Sequence, residues 1–408
     1  MSLGQAIFDD YRICQRGEGA IDRFTIDIAD AVLDDLRQRL GAARWSDDFA
    51  NDDWRYGTDT RYLRELAAYW RDDYDWRARE RLMNGFAHFR TELQGLPIHF
   101  IHERGKGRAG GAAPVPLILN HGWPWTFWDF RKVIGPLTDP AAHGGDPDDA
   151  FDVVVPSLPG FGFSTPLRQA GINWWKTADL WVELMDRLGY PRFASSGGDV
   201  GAFITAQLGH KHADRMIGVH LHTPGRLEFM AGMGWDEADY APEEARFLAR
   251  MHQIRASESA HFVVQSTKPQ TLAIGLNDSP IGLLAWLVDK RRNWSDCGGD
   301  VESRFSKDEL LDTVTLYWAT QSFHTSARYY WEGAHLPWRP AHDRMPVVAA
   351  PTALAIFPAE LTFAPRQAAE RYYNLRRWTE MPAGGHFAAA EEPELLVDDL
   401  RAFFRELR

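Results

Sequence analysis

The pentapeptide Gly197-Gly198-Asp199-Val200-Gly201 holds the residue type best placed to do chemistry in this chain. Residues 191–196 have the character of a strand end and residues 202–208 that of a helix start. The small residues therefore flank a tight strand-to-helix turn with a carboxylate at its tip. An ionised Asp needs no base to attack a saturated carbon, and the alkyl ester it leaves has a carbonyl carbon that a later water can hydrolyse. The chemistry suggested is the opening of a strained or activated C–X bond.

Such a turn, with Ser more often than Asp at its tip, is the nucleophile elbow of the α/β-hydrolase architecture, whose other parts follow in order. Val115-Pro116-Leu117-Ile118-Leu119-Asn120 reads as a short buried strand running into His121-Gly122-Trp123-Pro124. In this architecture the loop after that strand supplies one backbone N–H of the oxyanion hole, and the residue after the nucleophile supplies the other. The donors would be Trp123 and Val200. The Trp123-Pro124 bond is a candidate cis peptide, which would aim the Trp123 N–H inward while its indole lines the pocket. Another strand pattern at 151–158 ends in Pro159-Gly160-Phe161-Gly162-Phe163-Ser164. Trp123, Pro124 and Phe161 are expected to line the substrate pocket. Glu360 stands just past a buried-strand pattern at 351–356, and Gly384-Gly385-His386-Phe387 puts a histidine on a loop before a helix expected over 391–407. The chain order of nucleophile, acid and histidine makes Glu360 the acid and His386 the base.

With these residues in view, the chain resembles the microsomal-type epoxide hydrolases, in a soluble bacterial-like form. Further strings carry the likeness: Arg44-Trp45-Ser46-Asp47, Trp54-Arg55-Tyr56-Gly57-Thr58-Asp59, Asp75-Trp76-Arg77 and Gln265-Ser266-Thr267-Lys268-Pro269-Gln270-Thr271. The resemblance implies an α/β-hydrolase fold with a mostly parallel central sheet, a helical cap inserted before the last strands, and an N-terminal arm domain. It also implies two cap tyrosines that assist the leaving oxygen. One falls on Tyr330, in Arg328-Tyr329-Tyr330-Trp331-Glu332. The other position, counted back from Thr267-Lys268-Pro269, holds His261. A histidine can donate a hydrogen bond or a proton near neutral pH, so His261 is expected to work beside Tyr330. Val200 stands where the family usually places Trp and is expected to enlarge the pocket floor.

The expected units are an arm over 1–96, a core over 97–224 and 345–408, and a cap over 225–344. Helical patterns are read at 26–40 and 62–69 in the arm, and at 242–255, 280–289 and 307–330 in the cap, which follows a strand at 216–221. A net charge of −12 argues against nucleic acid and against an anionic membrane surface. Two cysteines, Cys14 and Cys297, make no disulfide framework, which favours a reducing cytoplasm. The start, with Asp9, Asp10 and Arg12, lacks the pattern of a signal peptide or membrane anchor. His210 with His212, and His220 with His222, have i to i+2 spacing but no supporting Cys or carboxylate set, so no metal is expected. No glycine-rich phosphate cradle appears, and no cofactor is expected. The expected partner is a small hydrophobic substrate, with a homodimer left open.

The leading reading is hydrolysis of a bulky hydrophobic or polycyclic epoxide to a vicinal diol through an alkyl-enzyme ester on Asp199, with a place in natural-product biosynthesis. Three alternatives stay open at this point. One is redirected chemistry on the same fold, such as cofactor-independent oxygenation of an activated aromatic substrate, for which His261 is the clue. The others are a haloalkane dehalogenase and a noncatalytic binding protein.

Overall fold

A computed structural model describes residues 20–231 and 234–408 of the chain, so Asp9, Asp10, Arg12 and Cys14 lie outside the described residues. Among the described residues the sheet has nine strands. They are β1 (Asp22–Arg23), β2 (His88–Leu93), β3 (Leu96–Glu103), β4 (Val115–Asn120), β5 (Phe151–Pro156), β6 (Phe193–Gly197), β7 (Met216–Leu221), β8 (Val348–Ile356) and β9 (Tyr373–Glu380). Their order is β1-β2-β3-β5-β4-β6-β7-β8-β9. The strands from β1 to β3 pair antiparallel, as does β3 with β5, whereas all pairs from β5 to β9 are parallel.

Sequence explains the parallel part. Every residue of β5, Phe-Asp-Val-Val-Val-Pro, is buried, as is every residue of β6, the pattern of strands covered on both faces by helices. Polar residues inside this layer find partners. Asn120 Nδ2 donates to Ser195 Oγ and Thr205 Oγ1, both at 3.0 Å. His220 bridges Ser196 Oγ at 3.2 Å and Asp399 Oδ2 at 3.0 Å, while His210 Nδ1 donates to the Val347 carbonyl at 2.7 Å. The strand order reverses between β5, β4 and β6, so the loops leaving β4 and β6 open side by side at the carboxyl edge of the sheet.

The segment between β7 and β8 holds the helices Ala245–Ser257, Ala260–Thr267, Pro269–Asp278, Pro280–Trp294, Lys307–Thr320 and Phe323–His335. The continuous helix expected over 307–330 is two, because Gln321 closes the first in a left-handed conformation with φ 50°. Expected at 26–40, the first arm helix spans Asp30–Gly41. Ile26 and Ile28 stay outside it because their amides donate to Asn84 Oδ1 at 2.9 Å and Glu80 Oε1 at 2.8 Å. The helix expected over 391–407 is also divided, into Ala388–Glu391 and Pro393–Arg405. Pro393 biases the residue before it away from helical geometry.

The arm docks on the cap. From the helices Thr60–Asp72 and Trp76–Met83 and the loop between them, Trp70 Nε1 donates to Thr315 Oγ1 at 3.0 Å, Tyr74 to Asp312 Oδ1 at 2.8 Å, and Arg79 to both Asp312 oxygens at 2.8 and 2.6 Å. Trp128, on the loop after β4, adds its Nε1–H to Asp312 Oδ2 at 2.8 Å. One buried carboxylate thus joins arm, cap and core. Among the described residues no single helix is long and apolar enough to cross a membrane.

Candidate active site

Asp199 follows β6 with φ 52° and ψ −131°, a conformation that few residues other than glycine adopt. Close packing of two loops holds it there. A Cβ at Gly201 would lie 2.1 Å from the Asn120 carbonyl oxygen, and one at Gly122 would lie 2.3 Å from Asp199 Oδ1. With no side chain between the loops, the Trp123 amide donates to Asp199 Oδ1 at 2.8 Å. The Val200 amide favours the charged form of the same carboxylate, and the Trp123-Pro124 peptide is cis. Burial pushes the Asp199 carboxyl up, but His386 and these two amides outweigh it and hold the group below its ordinary value.

The loop after β8 brings Glu360, and the loop after β9 brings His386. His386 Nδ1 donates to Glu360 Oε1 at 2.7 Å, and its Nε2 lies 3.4 Å from Asp199 Oδ2. Burial opposes charge on the imidazole, yet the flanking carboxylates prevail and raise His386 to about 10. Glu360 is further held by the Leu361 amide at 2.6 Å and the Thr223 hydroxyl at 2.9 Å. The same Thr223 oxygen accepts the Asp199 amide at 2.9 Å, which ties the backbone of the elbow to the acid.

The cap closes over these groups with aromatic rings. Tyr330 is buried, and its ring stands edge-on to Trp123, His261 and Phe262 at centroid distances of 6.0, 6.1 and 6.1 Å. Burial, then the Asp199 charge, drives its hydroxyl well above the ordinary tyrosine value, so it stays protonated. That hydroxyl has no hydrogen-bond partner among the described residues. His261 stacks on the Trp123 indole at 5.4 Å with the planes 6° apart, and packs against Trp294 at 4.7 Å.

The protonation of His261 differs from the expected donor role. Its Nδ1 lies 2.8 Å from the Glu258 carbonyl oxygen, which can only accept, so Nδ1 carries the proton. In the neutral ring Nε2 then presents a lone pair. Donation from Nε2 would require the imidazolium, which burial and Lys290 oppose by lowering the ring to about 3. Pro124 is buried in the Trp123 loop, and the Phe161 ring packs on His121 and Tyr329 at 5.3 and 5.6 Å. Thr223 escapes sequence reasoning because a lone threonine after a strand carries no pattern. Among the described residues, no group of His, Cys, Asp and Glu stands together as a metal site.

Fold and site together define an α/β hydrolase with a helical cap. Residues 21–130 match the family model for the epoxide hydrolase N terminus, and residues 115–393 match that for the alpha/beta hydrolase fold. An epoxide hydrolase homologue of Stigmatella aurantiaca is 43% identical over 95% of this chain and 86% of its own. Epoxide hydrolase 1 of Oryctolagus cuniculus is 35% identical over 94% and 88%. Juvenile hormone epoxide hydrolase from the silkworm Bombyx mori superposes with a TM-score of 0.84 at 29% identity, covering 97% of this chain and 96% of the other. The chain belongs to the epoxide hydrolase family and is an epoxide hydrolase.

Proposed function

We propose that the enzyme converts a bulky hydrophobic or polycyclic epoxide to a vicinal diol through an ester on Asp199. The observation that carries this reading is the division of labour between the two Asp199 oxygens. Oδ1 sits against the Trp123 amide, while Oδ2 lies toward His386 and the side chain remains 17% exposed. Oδ2 attacks a ring carbon, the ring C–O bond breaks with its electron pair on oxygen, and the Tyr330 hydroxyl hydrogen-bonds and protonates that oxygen, to be reprotonated from solvent. His386, oriented by Glu360, then takes a proton from water, whose oxygen attacks the ester carbonyl carbon. The Trp123 and Val200 amides hold the oxyanion, and collapse expels the diol with the proton from His386.

Bulk in the substrate is supported by the rings that converge here: Trp123, His261, Trp294, Phe262 and Tyr330. Such a substrate suits a role in natural-product biosynthesis, and Cys297, a buried free thiol, suits the cytoplasm. A single turnover in ¹⁸O-water tests the mechanism. The ester route leaves the label on Asp199 and none in the diol, whereas direct attack of water on the epoxide puts it in the diol. Oxygen consumption without diol would instead support redirected chemistry.

A further inference from the structure

We propose that Glu391 is a positioning residue for His386: its carboxylate clasps the end of a cap helix to the backbone on both sides of the catalytic histidine. The inference rests on the two-step reading above, in which His386 serves ester hydrolysis.

Glu391 is 8% exposed and ends the short helix Ala388–Glu391 directly after the histidine loop. Its Oε2 accepts from the amides of Gly385 at 3.0 Å and Asp296 at 2.7 Å, and its Oε1 from the amide of Phe387 at 2.8 Å. Gly385 and Phe387 are the immediate neighbours of His386. Asp296 belongs to the segment leaving the cap helix Pro280–Trp294. That segment makes two further ties to the loop: the His386 amide donates to the Trp294 carbonyl at 2.9 Å, and the Gly384 amide to Asp296 Oδ2 at 2.9 Å. The backbones are in contact, since a Cβ on Gly385 would lie 2.7 Å from the Trp294 oxygen and 2.8 Å from the Asp296 nitrogen. Trp294 also packs its ring edge-on against His386 at 5.2 Å.

Three N–H donors on one buried carboxylate demand an acceptor with no proton of its own. A glutamine there offers one oxygen, so at least one of the amides would face an N–H group. The imidazole would then lose the fixed distance to Asp199 and Glu360 that water activation needs, while Asp199, held by Trp123 and Val200, would keep its own geometry. Burial pushes the Glu391 carboxyl up to about 7, so the comparison belongs at about pH 8, where it is ionised.

The test compares wild type, Glu391→Gln and Asp296→Ala in single turnovers on a panel of bulky aryl epoxides. Alkylation of Asp199 is followed by intact mass and ester hydrolysis by diol release. For Glu391→Gln, alkylation within about twofold of wild type and hydrolysis slower by about tenfold or more are expected, with kcat and KM falling together. Asp296→Ala, which removes one tie and leaves Glu391 in place, should show the same split to a smaller degree and serves if Glu391→Gln does not fold. Equal slowing of both steps, or no change in either, overturns the proposal. The low-field proton resonance of the His386 Nδ1–H bridge to Glu360 reads the clasp without substrate. It should shift or broaden in both variants, and an unchanged resonance in either rejects the clasp. Absence of any adduct in wild type with that resonance perturbed in the variants would instead overturn the two-step reading alone.

Discussion

His386 Nε2 stands 3.4 Å from Asp199 Oδ2, so the imidazole faces the carboxylate that the proposed mechanism uses as its nucleophile. The two carboxylates that flank His386 keep it protonated up to about pH 10. In the proposed mechanism esterification of Asp199 would remove one of those charges, and the imidazole would lose its proton more readily and become a base at the step that needs one.

The two chemical steps should therefore differ in pH dependence. Alkylation needs ionised Asp199, whose value is depressed, so its rate should stay level across the neutral range and fall only below the ordinary carboxylate pKa of about 3.9. Ester hydrolysis needs neutral His386 and should fall with pH through an ester-state value lower than about 10. Stopped-flow single turnovers resolve the two limbs, and an alkylation rate that drops between about pH 7 and 5 would contradict the assignment. Stability carries the same signature with a definite sign. The folded value of His386 lies above the reference value of 6.5, so its contribution is complete below 6.5 and lost as pH rises toward 10. Wild type should lose more in Tm over that window than His386→Gln does.

His386→Gln should still be alkylated and should then retain the adduct, because the Trp123 and Val200 amides that place Asp199 are untouched. A stable mass increment mapped to the peptide containing Asp199 is the expected result. Asp199→Asn, of nearly equal volume, should form no adduct and stay folded. Wild-type activity in freshly purified Asp199→Asn, with deamidation excluded by mass, would remove the residue from the mechanism.

Asp312 is the stability test of the joint between arm, cap and core. Its side chain is fully buried and accepts from Arg79, Tyr74 and Trp128. Asp312→Ala leaves Arg79 with only the longer ion pair to Asp308 at 3.8 Å and leaves the Tyr74 and Trp128 donors unsatisfied, a loss of about 3 kcal/mol. Denaturant unfolding should show it, and a loss below about 1 kcal/mol would mean that these contacts are not coupled to folding.

The site was legible where backbone constraint leaves a trace in residue type. Gly201 and Gly122 are glycines because another loop occupies the space of their side chains, and that necessity wrote the elbow and the Trp123 loop into the sequence. Glu360 and His386 were legible from chain order. Thr223 and Glu391 were not, since each acts through hydrogen bonds to residues distant in the chain or to bare amides. Helix ends failed for a similar reason: the side chains of Asn84 and Glu80, far along the chain, draw Ile26 and Ile28 out of the helix that their local pattern suggests. The position of His261 was legible, but its tautomer depends on the Glu258 carbonyl, which no residue pattern reports.

That tautomer gives the final prediction. With Nδ1–H committed to Glu258, His261 has no N–H for the epoxide oxygen, which leaves Tyr330 as the donor for ring opening in the proposed mechanism. Tyr330→Phe should slow alkylation by about 10²-fold or more, the usual cost of one oxyanion donor. His261→Phe keeps an aromatic ring to stack on Trp123 and should alkylate within a few-fold of wild type. His261→Tyr supplies a second hydroxyl and should speed alkylation, most visibly in the Tyr330→Phe background, where it would replace the missing donor. Single-turnover alkylation across these variants, with diol and oxygen uptake followed together, decides the matter. A loss in His261→Phe as deep as that in Tyr330→Phe would restore His261 as a donor and require the opposite tautomer.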